Sequence, residues 1–236
     1  MNKDNVFFDF VNLNFYPEFV YFLGFCWADG WIYNSGYHNK VCIEINSIDA
    51  DCIKPYLEKV GIWKIYKRLR NTRTILDRNV TVKETTSFRI SNKNLSDFLV
   101  KCGFKNKSGS YDKLLSLIPE NLHLHFYRGL IDGDGHISLC KTTQGYNSMA
   151  IVIAGPLEQD WSSIESFCDK NKIHYRIRRE YKDTKKCSTF IIKRKKDLLK
   201  FINLLFKPEY IYLERKYNKA IDIETEILRK PKYCRP

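Results

Sequence analysis

Apolar residues run almost unbroken from Phe19 to Trp27 behind a Pro17-Glu18 start, the pattern of a buried helix over 17–28. The period then changes to two. Strands are expected around 31–34 and 40–46, with Val41, Ile43 and Ile45 facing one way and Lys40, Cys42, Glu44 and Asn46 the other. A helix follows from Asp49 to about Lys59, closed by Gly61. Lys64, Tyr66, Arg68 and Arg70 line one face of the next strand, and Ser87, Arg89 and Ser91 one face of its successor. The polar stretch 71–85 between them reads as a hairpin loop, and a helix over 93–102 ends at Gly103. The second half copies this order. Strands are expected near 136–143, 148–154, 173–180 and 187–193, and helices near 157–171, 194–206 and 209–226.

The copy extends to particular residues. Phe22-Leu23-Gly24-Phe25-Cys26-Trp27-Ala28-Asp29-Gly30 returns 105 residues later as Tyr127-Arg128-Gly129-Leu130-Ile131-Asp132-Gly133-Asp134-Gly135. Each segment follows a Pro-Glu pair, Pro17-Glu18 or Pro119-Glu120, which places proline and an acid in a helix's first turn. Ser87-Phe88-Arg89-Ile90 is echoed by Ser188-Thr189-Phe190-Ile191-Ile192. The expected organisation is therefore two halves of four antiparallel strands each, 1–116 and 117–229, with a loose tail over 230–236.

Charge changes the picture from fold to partner. Forty Lys and Arg against 27 Asp and Glu leave a net charge of +13 over 236 residues, an excess that suits a polyanion such as nucleic acid. Residues 170–200 alone carry 13 of those cations against three acids. A single charged strand is ordinarily just a solvated face. Here cations line several strands in both halves: Lys64, Arg68, Arg70 and Arg89 in the first, His174, Arg176, Arg178 and Lys193 in the second. Tyr33, Tyr66 and His136 lie among them, so phosphates and base edges are both addressed. Ser148, Ala150 and Val152 are weakly polar at the matching outward positions, which favours shape or methyl contact there. No apolar run reaches the ~18 residues of a membrane span, and the N-terminus lacks a signal-peptide pattern. The eight cysteines form no Cys-x-x-Cys pair; Cys26, Cys42 and Cys140 fall in apolar or alternating runs, so reduced structural thiols are expected rather than zinc. An intracellular, reducing compartment follows, whether the cytoplasm of a bacterium or phage-infected cell, or an organelle.

The repeated helices carry the candidate chemistry. Gly24 and Ala28, like Gly129 and Gly133, are four residues apart and make a small-residue stripe on each helix. Glycine inside a helix costs about 1 kcal/mol relative to alanine, and its presence at matching places suggests that the two helices pack closely. Close packing brings Asp29 and Asp134 together at the negative ends of two helix dipoles. A divalent cation between them relieves that repulsion, with phosphate oxygens and water completing an oxygen shell. Two acids, a hard metal and a basic platform point to phosphodiester hydrolysis.

These two segments resemble the paired motif of the LAGLIDADG homing endonucleases, in the single-chain form with two motifs. The resemblance runs from about Pro17 to Asn218 and is strongest over Gly129–Gly135 and Ala28-Asp29-Gly30. It implies an α+β fold of two pseudo-symmetric αββαββα halves, with motif helices at their interface and antiparallel sheets forming a saddle over the DNA major groove. It implies that Asp29 and Asp134 are metal-binding catalytic acids and that the Ala28 and Gly133 carbonyls are further ligands. Mg2+ is the implied cofactor, with Mn2+ or Ca2+ entering the same sites. The implied activity is cleavage of both strands of a long DNA target across the minor groove, leaving short 3′ overhangs. Trp27 departs from the motif's acid, whereas Asp132 keeps it. The family's lysine near each scissile phosphate maps to Lys107 and Lys216, 78 residues after Asp29 and 82 after Asp134. Glu44 occupies the place of a water-ordering polar residue. The expected partner is double-stranded DNA, bound by a monomer.

The alternatives differ in what they require. A maturase, acting on intron RNA, would need the basic surface but not the two acids, and both are present. A regulator that only binds would be expected to carry an added helix-turn-helix domain. An intein would need a nucleophile at its first residue and a His-Asn style end, where this chain has Met1 and Arg235-Pro236. No His-Asn-His finger, P-loop or deaminase zinc motif occurs.

Overall fold

The computed structural model describes residues 13–34, 39–68, 73–75, 78–80, 84–145, 147–182 and 185–229. The chain forms two compact units. One extends to Asp134 and takes in Ile211–Leu213; the other covers Gly135–Tyr210 and resumes at Glu214.

In the first unit, helix α1 (Pro17–Asp29) leads into strands β1 (Gly30–Asn34) and β2 (Asn39–Asn46), then helix α2 (Ser47–Val60) and strand β3 (Lys64–Arg68). A two-stranded hairpin, β4 (Arg73–Ile75) and β5 (Arg78–Val80), occupies the expected loop before strand β6 (Thr85–Ser91). Helices α3 (Lys93–Lys101) and α4 (Asp112–Leu115), a 3-10 turn (Glu120–Leu122) and helix α5 (His123–Asp134) complete the unit. The four-stranded sheet is antiparallel in the order β1-β2-β6-β3. Side-chain caps mark the expected helix starts: Asn46 accepts from Ile48 N at 3.3 Å, and Asn92 from Leu95 N at 2.7 Å.

Val41, Ile43, Ile45, Phe88 and Ile90 form the sheet's buried side, beneath α1, α2 and α3. Helix α1 is buried all round, from Phe19 to Trp27, because α5, α2 and the sheet enclose it. Its continuous apolar run therefore needs no amphipathic period.

The second unit contains β7 (Gly135–Lys141), β8 (Asn147–Pro156), α6 (Ser162–Lys170), β9 (Arg176–Lys182), β10 (Lys185–Ile192), α7 (Lys195–Leu205) and α8 (Glu214–Leu228). Its antiparallel sheet has the order β7-β8-β10-β9, the same arrangement as the first. The repeated aromatic keeps its place: Phe88 opposes Ile43, and Phe190 opposes Ile153.

Four element starts differ from expectation, each for a visible reason. Pro119 precedes the 3-10 turn rather than opening the motif helix, which begins at His123. Helix α6 starts at Ser162, not 157, because β8 continues to Pro156 and Arg179 donates to the Leu157 and Gln159 carbonyls. Helix α8 starts at Glu214, not 209, because Leu213 N–H is committed to Asp132 Oδ2 at 2.9 Å. Strand β9 starts at Arg176 because Lys172 turns the chain with φ +52 and Ile173 N bonds back to Cys168 O, leaving His174 ahead of the strand.

Candidate active site at two helix ends

Helices α1 and α5 approach closely through backbone. A Cβ on Gly24 would lie 1.9 Å from Phe126 O, and one on Gly129 would lie 2.1 Å from Tyr21 O. At the C-terminal ends, a Cβ on Gly133 would stand 2.2 Å from Ala28 Cβ and 3.3 Å from Asp29 Oδ2. The small-residue stripe thus does what its spacing suggests, and it sets the end of α5 against the Asp29 carboxylate. Gly30 ends α1 in extended backbone, with no room for a side chain beside Cys26 O and Sγ.

A lysine reaches this place from the turn after α3. Lys107 Nζ donates to Ala28 O at 2.7 Å, among the last carbonyls of α1 that have no partner within the helix, and to Gly30 O at 2.9 Å, at the start of β1. Its ammonium also stands 5.4 Å from the Phe104 ring centroid. Burial lowers the Lys107 pKa below the ordinary lysine value, against an opposing pull from Cys26, Asp134 and Asp29. Both expected acids are therefore near enough to act on this one cation. Asp29 is half-buried and Asp134 exposed.

The two residues that precede the Ala28-Asp29 and Gly133-Asp134 pairs behave differently. Asp132 is fully buried in an ion pair with Arg128 at 3.3 Å, and its Oδ2 accepts from Tyr21 OH at 3.0 Å. Trp27, at the corresponding place in α1, donates its indole N–H to Lys107 O at 3.3 Å. Neither partner was legible in the sequence, since each bond spans about 80 residues or more.

The outer sheet faces gather the other expected residues. In the first unit, cross-strand register places Cys42, Arg89 and Lys64 in one row and Glu44, Ser87 and Tyr66 in the next. Arg89 lies over the Tyr66 ring at 4.6 Å and donates to Ser87 Oγ at 3.1 Å. Cys42 and Ser87, expected to face outward, are consequently buried in the middle of this face. Glu44 is held within the sheet by Arg68 at 3.6 Å and Thr85 Oγ1 at 2.8 Å. Trp31 and Tyr33 share the face through their pairing with Cys42 and Lys40; Trp31 is an addition that the alternation from Tyr33 already signalled. Arg70 lies outside the described residues.

In the second unit, His136, Val152, Ile191 and Arg176 form one row, and Ala154, Thr189 and Arg178 another. His174, Arg176, Arg178 and Lys193 line an open hollow of about 400 Å³ floored by Ser148 and Ala150. Arg178 also pairs with Glu180 at 3.3 Å. Lys216 is buried in the first turn of α8. Cys140, expected as a small core residue, is exposed instead, near the open end of edge strand β7. Among the described residues no helix is long and apolar enough to cross a membrane.

No protein-family model matches the chain, and no curated protein does. Solved structures do. The LAGLIDADG homing endonuclease I-GzeII, in complex with a DNA target, aligns at TM-score 0.56 and 17% identity over 91% of this chain and 90% of that one. I-SmaMI, bound to uncleaved DNA target in the presence of calcium ions, aligns at 0.53 and 15% identity over 91% of each. The LAGLIDADG meganuclease I-CpaMI, bound to uncleaved DNA, aligns at 0.54 and 14% identity over 91% of this chain and 92% of that one. The chain has the α+β fold of the single-chain LAGLIDADG homing endonucleases, along nearly its whole length.

Proposed function

We propose that this protein is a site-specific DNA endonuclease that makes divalent-metal-dependent breaks in both strands of a long duplex. The observation that carries the reading is the meeting of the Asp29 and Asp134 helix ends around Lys107. Support comes from the shared fold, whose solved examples include complexes with DNA targets, one of them with calcium ions.

The residues fit a hard cation. Among the described residues no three His, Cys, Asp or Glu side chains form a metal cage. Two carboxylates with backbone carbonyls are the donor set that Mg2+ accepts when substrate phosphate and water supply the rest. Asp29 and Asp134 would hold it, with the Ala28 and Gly133 carbonyls as further donors. When bound, such an ion supplies an activated water and stabilises the leaving oxygen. The chain's own residues do the remainder. Packing through Gly24 and Gly129 fixes both carboxylates on helices, so little reorganisation is needed when substrate arrives. Lys107 holds a positive charge beside the acids, where a phosphate's developing negative charge would sit. Lys216 serves as the matching lysine of the second half, and Glu44 orders water near the site.

Binding falls to the two outer sheet faces. Lys64, Tyr66, Arg68 and Arg89, with His136, His174, Arg176, Arg178 and Lys193, contact phosphates and base edges in the major groove. Because one chain carries both motifs, we expect a monomer whose repeated halves divide near residue 116. The cysteines among the described residues are thiols rather than disulfides, which suits a reducing compartment. The test is incubation of a linear DNA library with the protein in Mg2+ or in EDTA. Discrete double-strand cuts in Mg2+ alone support the reading. Tight, salt-sensitive binding with no cut in any divalent ion contradicts it and favours an RNA-binding maturase role.

A further inference from the structure

Trp27 stands where the motif has an acid, and it would pass as a core aromatic: it is 2% exposed and packs edge-on against Phe104 and Tyr111, at 5.6 and 5.9 Å between centroids. Packing alone does not use its N–H. That group donates to the carbonyl of Lys107, while the same lysine's ammonium grips Ala28 O and Gly30 O, on the residues flanking Asp29. Lys107 is thus held at both ends, by its backbone through Trp27 and by its side chain through the end of α1. Its own loop is tied by short-range bonds, Asn106 N to Gly103 O at 2.9 Å, Gly109 N to Asn106 O at 3.0 Å and Ser108 Oγ to Asn106 Oδ1 at 2.7 Å. The segment between α3 and α4 is a run of turns, with Lys105 and Asn106 exposed on one side.

We propose that Trp27 is a positioning residue for Lys107, setting the lysine's place beside the catalytic acids through the indole-to-carbonyl bond. The inference rests on the nuclease reading for its effect on rate, though not for the contact itself. A parallel in the second motif strengthens it. Asp132, at the place equivalent to Trp27, accepts from Leu213 N, three residues before Lys216 in sequence. The position two residues before each acid therefore binds the backbone of the segment leading to its own half's lysine. An acid does so by accepting from N–H; tryptophan, a pure donor, does so by giving to C=O. The substitution at residue 27 keeps the task and reverses the polarity.

The test is a double-mutant cycle on the DNA that the wild type cuts. Trp27→Phe keeps a buried aromatic ring beside Phe104 and Tyr111 and removes the donor. We expect it to lower kcat about tenfold with DNA affinity unchanged, as a displaced catalytic group does. In a Lys107→Ala background, Trp27→Phe adds no further loss. A wild-type rate for Trp27→Phe, or the full tenfold loss persisting without Lys107, overturns the proposal. Acetylation of lysines read by mass spectrometry, without DNA or metal, judges the contact independently. Lys107 is shielded in the wild type and becomes several-fold more reactive in Trp27→Phe; equal labelling overturns the proposal. Should the wild type cut no DNA, the nuclease reading fails while labelling still decides the anchoring. If Trp27→Phe does not fold, Trp27→Tyr gives the same comparison, since it too lacks an indole N–H.

Discussion

Replacing Gly129 by alanine tests the helix contact by sign as well as size. In an ordinary helix the change is favourable by about 1 kcal/mol, because alanine loses less backbone freedom on folding. Here the added methyl would stand 2.1 Å from Tyr21 O and 2.7 Å from Phe25 N, both backbone atoms of α1. Neither moves without its helix. Reaching ordinary contact requires α1 and α5 to part by roughly 1 Å, a gap that forfeits a quarter to a half of each affected van der Waals contact. Overpacking of this kind costs about 1–3 kcal/mol, and a backbone neighbour puts it at the upper end. After subtracting the propensity gain, a net loss of about 2 kcal/mol is expected. Urea unfolding of wild type and Gly129→Ala measures it, with the midpoint falling at unchanged m-value. A rise in stability of about 1 kcal/mol would refute the close approach. Gly24→Ala, 1.9 Å from Phe126 O, should behave alike.

Three further outcomes follow from the same geometry. Asp132→Asn leaves Arg128 buried without its counter-charge and should cost about 3–5 kcal/mol in chemical unfolding. Lys107→Met removes a cation from Ala28 O and from the field of both carboxylates, so calorimetry without DNA should find Ca2+ bound about fivefold more tightly; weaker binding would contradict competition at that carbonyl. Arg176→Ala, in the hollow of the second sheet, should weaken DNA binding and lower the slope of log K against log salt by about 1. An unchanged slope would remove Arg176 from the phosphate contacts.

Much of the architecture was written in local pattern. Alternation in β2 and β6 specified which side of the sheet is buried, because a one-residue slip would expose Ile43 and Phe88. The repeated glycines marked the helix contact, and the repeated Asp-Gly marked the ends of the two helices. What sequence could not convey depends on partners far along the chain. Helix α8 begins late because Leu213 N–H is taken by Asp132, 81 residues earlier. Helix α6 begins late because Arg179 satisfies carbonyls that the helix would have used. Cys42 and Ser87 alternate as outward residues yet are buried, since Arg89 folds back across the face toward Tyr66 and Ser87. Trp27 ends an apolar run, and composition does not reveal that its indole N–H points to Lys107 O.

The central claim is that the carboxylates at these two helix ends perform hydrolysis. Its most direct test compares wild type, Asp29→Asn and Asp134→Asn on one cleavable duplex, with binding measured in Ca2+ beside cutting in Mg2+. The account predicts that each asparagine variant binds the duplex as the wild type does and loses double-strand cleavage by at least about 10³-fold, the scale of losing an electrostatic catalytic group. Cleavage by either variant at close to the wild-type rate would contradict it.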